Sequence, residues 1–143
     1  MLRELIAAGF GYQKNDYAHS LNCAEKILNG ANIIYNLEMD SATLHMASGF
    51  AAGAFMGGTC GALCAAIMVI GRLETGFSQH QTPSLRHKLE KMLGDYQADT
   101  DSLLCRDLRP IYGEQQNCMP LLLKTAGMLD KFYLSFLEEE NNV

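Results

Sequence analysis

Apolar and polar positions follow one another along most of this chain with the three-to-four-residue period of amphipathic helices. Asn15 or Asp16 can cap a first long helix, on which Tyr17, Leu21, Ala24, Leu28 and Ala31 share one face. Cys23 lies at the edge of that face, one turn before Ile27. Gly30 weakens the helix by ~1 kcal/mol relative to alanine and marks a place where it can break. Asp40 or Ser41 then opens a short helix expected to stop near Gly49.

The pattern changes between residues 46 and 71, a stretch of 26 residues without a charged side chain, in which Gly49, Gly53, Gly57 and Gly61 are spaced four apart. From Thr59 its second half is apolar on every side, which predicts a buried central helix. The β-branched Ile67, Val69 and Ile70 leave a buried strand as the alternative. A polar linker follows Gly76. Thr82 and Pro83 supply a cap and a first helical residue, and Leu85, Leu89, Met92, Leu93 and Tyr96 continue at helical spacing. Leu103, Leu104 and Leu108 predict a short helix around Cys105, with breaks at Pro110 and Gly113. A last helix starts between Asn117 and Pro120 and turns Leu122, Ala126, Leu129, Tyr133 and Phe136 toward a core. No internal repeat or low-complexity block divides the chain. The expected fold is all-α, one domain over residues 1–143, a compact bundle around the apolar central helix.

The 26-residue stretch exceeds the roughly 20 residues that span a bilayer. Glycine fills six of its positions, however, and its content of large apolar side chains is too low for strong insertion. A glycine-rich turn followed by a buried helix is therefore expected, and the chain is read as not membrane-spanning. If exposed, the glycine stripe would suit a close contact in a homodimer. An apolar fraction of 48% and a charged fraction of 19% are those of a globular protein and exclude disorder. The net charge of −5, with only 11 scattered lysines and arginines, argues against a nucleic-acid partner. Arg3 and Glu4 interrupt the first ten residues too early for a secretory signal, so a cytoplasmic location is expected.

In that compartment thiols are kept reduced, and Cys23, Cys60, Cys64, Cys105 and Cys118 suggest metal ligation, redox chemistry or apolar packing before a disulfide framework. No Cys-x-x-Cys is present, which leaves a zinc ribbon and a thioredoxin-type site unsupported; no Cys-x-x-Cys-His is present, which removes c-type haem. Cys60 and Cys118 fall at expected helix starts, where unpaired N–H groups and the helix dipole favour thiolate. Gly61, Gly57 and Gly58 clear space beside Cys60 for a cluster or another backbone. Taken singly, each cysteine is better explained by packing than as a ligand, since free cysteine is among the most buried residue types. His19 lies four residues before Cys23 and could reach the same site, although a solvated surface histidine is the simpler reading. His45, His80 and His87 are expected at the surface, and Asp16, Glu25 and Glu138 to Glu140 as caps and solvated charge.

Asn22-Cys23-Ala24, Ser48-Gly49-Phe50, Gly58-Thr59-Cys60-Gly61-Ala62, Ile67-Met68-Val69-Ile70-Gly71, Cys105 and Asn117-Cys118 together resemble the C-GCAxxG-C-C family. That family comprises small proteins described as redox-active with four characteristic cysteines, and a similar domain occurs in split-Soret-type cytochromes, next to haem and with an iron–sulfur centre. The resemblance runs from about Tyr17 to Phe136 and implies that Cys23, Cys60, Cys105 and Cys118 form one site. Ala65 replaces the glycine that ends the family's central motif, Ala51 and Ala52 soften its glycine run, and Cys64 is extra.

Four thiolates on separate elements can hold an iron–sulfur cluster, and the resemblance then implies electron transfer or redox sensing with an electron-transfer partner that the sequence does not identify. Zinc suits the same ligands. A thiol–disulfide enzyme is the alternative, with Cys60 and Cys64 on one helical face as catalytic residues, although no glutamate or histidine lies between His45 and Arg72 to assist them. A non-catalytic helical binding module, its cysteines serving only as packing, is the third reading.

Overall fold

The computed structural model describes residues 1–16, 19–75, 83–113 and 117–142. Among these residues the chain forms seven α-helices: α1 (Leu2–Ala7), α2 (Cys23–Tyr35), α3 (Ser41–His45), α4 (Gly61–Thr75), α5 (Pro83–Thr100), α6 (Cys105–Tyr112) and α7 (Met119–Asn141). No sheet forms among them; the single β-type pairing is an antiparallel bridge between Thr59 and Leu104. The all-α expectation holds, and Ile67, Val69 and Ile70 lie in a helix that starts at Gly61, after the Thr59 bridge, rather than in a strand.

Helix α4 packs against α2, α5 and α7. Gly61, Ala62, Leu63, Ala65, Ala66, Val69 and Ile70 are buried on it, and its remaining residues are half-buried. Ile27, Leu28 and Ala31 of α2 and Leu121, Leu122, Ala126 and Leu129 of α7 join them in the core. Met92 and Tyr96 are the buried residues of α5's apolar face. Thr82, the expected cap of that helix, lies outside the described residues. No helix among the described residues is long and apolar enough to cross a membrane.

Two expectations at the N-terminal end are corrected. The first long helix does not start at Asn15 or Asp16 but at Cys23, because Asn22 and Glu25 form a reciprocal capping box. The Glu25 N–H donates to the Asn22 side chain at 3.0 Å, and the Asn22 N–H donates to the Glu25 carboxylate at 3.1 Å. Asp16 is spent instead on His19, accepting from its backbone N–H at 3.2 Å and lying 2.6 Å from its Nδ1. Tyr17, expected on the helical face, lies outside the described residues. The second correction is Gly30, which is no break. A Cβ there would lie 2.7 Å from Leu2 Cδ1, so the missing side chain lets α1 rest on α2.

Helix α1 escaped the sequence reading and is anchored by Asp130 of α7. That carboxylate accepts the Leu2 N–H at 2.8 Å, the Arg3 N–H at 3.0 Å and the Tyr35 hydroxyl at 2.7 Å, so one side chain joins α1, α2 and α7. Tyr35 also stacks on Tyr133, with ring centroids 4.4 Å apart. The short helix opened by Asp40 ends at His45, and Ser48–Phe50 follow as a 3₁₀ turn. Helix α6 begins at Cys105 instead of surrounding it. Pro110 is accommodated inside that helix, which ends just before Gly113.

Candidate functional site

The four cysteines of the sequence motif occupy equivalent places in four different helices. Cys23 is the first residue of α2, Cys60 immediately precedes α4, Cys105 is the first residue of α6, and Cys118 is the cap of α7. Cys118 adopts a left-handed conformation, with φ 56°, so that its thiol can turn inward while its carbonyl accepts the Leu122 N–H at 3.0 Å. All four line one small enclosed cavity of about 30 Å³, together with Gly61, Ala62, Leu108, Leu121, Leu122 and Arg109. At roughly 10–15 Å³ per water, that space holds about two water molecules. No aspartate or glutamate lines it.

Long-range backbone pairing brings these helix starts together. The Cys60 N–H donates to the Leu103 carbonyl at 2.8 Å, and the Cys105 N–H donates to the Gly58 carbonyl at 2.7 Å. The segments leading into α4 and α6 therefore run antiparallel and place Cys60 and Cys105 side by side. Gly61 lets Cys23 join them: a Cβ at that position would meet the Phe50 carbonyl oxygen at 2.5 Å and the Cys23 sulfur at 2.8 Å. The close approach expected beside Cys60 is thus made by another cysteine and a backbone carbonyl.

The glycine run does not form a helical stripe. Residues 53–57 make a wide, irregular turn in which Gly53 and Gly57 take positive φ. A Cβ at Gly53 would collide with the Gly58 carbonyl oxygen at 2.4 Å, and one at Gly57 would lie 2.9 Å from Arg106 Cβ. Gly53, Gly57 and Gly61 are therefore spent on contacts inside the chain, and Gly49 has open space around it. Ala52, Ala54 and Phe55 also take left-handed conformations, with φ of 51°, 59° and 57°. Each costs about 1–2 kcal/mol for a residue with a Cβ, and such strain concentrates at functional sites.

Burial decides the protonation of these thiols. Desolvation pushes Cys60 up to about 11, although the Leu63 and Ala62 N–H groups oppose the rise. The sulfur thus stands where a capping oxygen would accept from the second and third helical N–H groups. Desolvation also raises Cys23, against donation from the Ala52 and Ala24 N–H groups. It raises Cys118, with the charges of Cys23 and Cys105 adding and Arg109 opposing. The expectation that helix starts would favour thiolate at Cys60 and Cys118 is corrected: N–H donation at Cys60 and the charge of Arg109 at Cys118 are smaller than the cost of burying the charge. Without a bound cation, these three thiols are protonated at neutral pH. A coordinated metal reverses that balance, because a ligating thiol is deprotonated outright.

Tyr96 of α5 faces the same interior. Its hydroxyl is buried beside that of Thr125, which donates to the Leu121 carbonyl at 2.8 Å and opposes the rise in the Tyr96 pKa. Burial first and the charge of Cys60 second raise its pKa.

Cys64 is not among the residues lining the cavity. It is half-buried one turn into α4, with its thiol 3.9 Å from the Thr59 carbonyl, and burial raises its pKa. All five cysteines are free thiols. His19 is an exposed turn residue held by Asp16 and does not approach the site; its side chain is 79% exposed. His45 and His87 also lie away from the cavity lining, and His80 lies outside the described residues. Among the described residues, no three His, Cys, Asp or Glu side chains are gathered closely enough to hold a metal ion. The four soft sulfur donors and the absence of carboxylates in the lining nevertheless suit zinc or iron and not magnesium or calcium. Arg109, Leu108, Leu121 and Leu122 completed the cavity without any signal in the motif that singled them out.

The family model described as "Putative redox-active protein (C_GCAxxG_C_C)" matches residues 21–132, well over half of the chain and all five cysteines. No curated protein and no solved structure matches.

Proposed function

The chain belongs to the C-GCAxxG-C-C family, whose members are described as redox-active, and from that premise we propose that Cys23, Cys60, Cys105 and Cys118 hold an iron–sulfur cluster for electron transfer or redox sensing. The observation that carries this reading is the convergence of four thiols, from the starts of four helices, on one enclosed carboxylate-free cavity. When bound, such a cluster supplies one-electron chemistry at a potential set by burial and by hydrogen bonds to sulfur.

This chain's residues are suited to that task in three ways. The N–H groups of the first helical turns, those of Ala62 and Leu63 at Cys60 and of Ala24 at Cys23, are already directed at the sulfurs and would stabilise the negative charge of a metal–thiolate centre. Leu108, Leu121 and Leu122 would keep water from it, and Gly61 leaves room beside Cys23. Each thiol must release its proton on binding, so loading is favoured as pH rises. A single zinc ion needs sulfurs converged to about 2.3 Å from one centre, whereas a cluster divides its ligands among several irons. The cavity of about 30 Å³ would have to widen to admit either group.

Five single Cys→Ser variants test the ligand set, with iron and acid-labile sulfide measured per chain. Cys64→Ser should retain both. Each of the other four replacements should lower them at least severalfold, in line with the 10- to 100-fold affinity losses that follow even from disturbing the surroundings of metal ligands. Iron that is lost with Cys64 and kept without Cys105 or Cys118 would overturn the assignment.

A further inference from the structure

Cys105 differs from the other three cysteines in having a second exposure. It lines the enclosed cavity and also the wall of a separate open cleft of about 380 Å³, shared with Ala52, Phe55, Gly57, Arg106, Arg109 and Pro110. Cys23, Cys60 and Cys118 do not line that cleft. Its size is that of a small-molecule site.

The charge of the cleft is opposite to that of the protein. The chain carries a net charge of −5, yet the cleft contains two arginines and no acidic residue. Arg106 and Arg109 are three apart on α6 and so share a face of the helix. Arg106 is fixed, its Nε donating to the Gly57 carbonyl at 2.9 Å, in a contact that the missing Gly57 side chain permits. Neither guanidinium is paired with a carboxylate among the described residues, and the one acid in that turn, Asp107, is engaged by the Ser102 hydroxyl at 2.7 Å. Phe55, 74% exposed, and Pro110 add apolar wall.

We infer that this cleft binds small anionic disulfides, carboxylate-bearing and of low molecular weight, and presents them to Cys105 for mixed-disulfide formation in the metal-free protein. The Cys105 sulfur attacks one sulfur of the bound disulfide. A new sulfur–sulfur bond forms as the old one breaks, and the expelled half leaves as a thiol carrying the proton that Cys105 gives up. Cys105 is oxidised, the expelled half is reduced, and no other oxidant is needed. Arg106 and Arg109 hold the carboxylates, and they give the cleft its preference for negative over positive reagents. The half-buried Cys64, outside the cleft, has no such selection.

The test uses the reduced, metal-free full chain, oxidised glutathione as the anionic disulfide and cystamine as a cationic one, with peptide-level mass spectrometry at near-neutral pH. Cys105 should be modified first by glutathione, and glutathione should outpace cystamine there by about tenfold, in the range that local fields give. The Arg106→Gln/Arg109→Gln double variant should remove that preference. In the unsubstituted protein, raising salt from tens to hundreds of millimolar should shrink the preference without any mutation. Modification of Cys64 ahead of Cys105, or a charge preference that neither salt nor the double variant changes, would overturn the inference. Because the readout involves no metal, it stands or falls separately from the cluster assignment.

Discussion

At Gly61, one added methyl group decides whether Cys23 can reach the site. Its carbon would fall 2.8 Å from the Cys23 sulfur and 2.5 Å from the Phe50 carbonyl, and a backbone carbonyl cannot swing aside as a long side chain can. Gly61→Ala should therefore destabilise the protein by about 1–3 kcal/mol in urea unfolding and also lower metal content. Unchanged stability together with unchanged iron would show that the contact is dispensable. Cys60 supports a second expectation at this scale. Its folded pKa of about 11 lies above the roughly 8.5 of a free thiol, so the folded state holds the proton longer than the unfolded state. The resulting contribution to stability is full below about pH 8.5 and is lost as pH climbs toward 11. Iodoacetamide should accordingly label Cys60 of the native metal-free protein slowly at neutral pH, with a rate rising toward pH 11. A labelling midpoint near 8 would contradict the burial described here.

Among the helices, much was legible before any coordinates. The apolar spacing of residues 83–100 and 119–141 shows one face of each long helix because a helix packed on a core must present such a face. Other boundaries were misplaced for local reasons. Asn22 and Glu25 stand three apart, a readable capping box, but Asn15 and Asp16 offered an equally acceptable cap further upstream. Pro110 was read as a break, but it sits inside α6, two residues before the helix ends at Tyr112. Helix α1 has six residues and little periodicity, and it is held by Asp130 from the far end of the chain. Removing that carboxylate leaves the Tyr35 hydroxyl and the α1 N–H groups without their acceptor. Asp130→Ala should cost about 2–4 kcal/mol in urea unfolding and expose α1 to faster hydrogen exchange. A loss below about 0.5 kcal/mol would mean that α1 is held by its apolar contacts alone.

Across the whole molecule, the candidate site illustrates what one-dimensional spacing omits. The order of cysteines and the Cys60-Gly61-Ala62 motif identify the family, but nothing in their separations says that four helix starts meet. That meeting depends on the Thr59–Leu104 bridge, on Gly61 and on the left-handed cap at Cys118, all of them relations between distant segments. The arginines beside Cys105 were equally hidden, since they read as two of 11 scattered basic residues until α6 places them on one cleft. Two arginines then face one cleft beside Cys105 on a protein of net charge −5. Its interior combines buried, protonated thiols with helix N–H groups at Cys60 and Cys23 that would favour their charged form with a metal bound.

The central claim is tested most directly by the ultraviolet–visible spectrum, with iron and acid-labile sulfide content, of the full chain purified without oxygen from cells with active cluster assembly. The account predicts a coloured protein with matching iron and sulfide, whose visible absorbance disappears in Cys60→Ser and persists in Cys64→Ser. A colourless protein without iron, or one holding a single zinc ion, would contradict it.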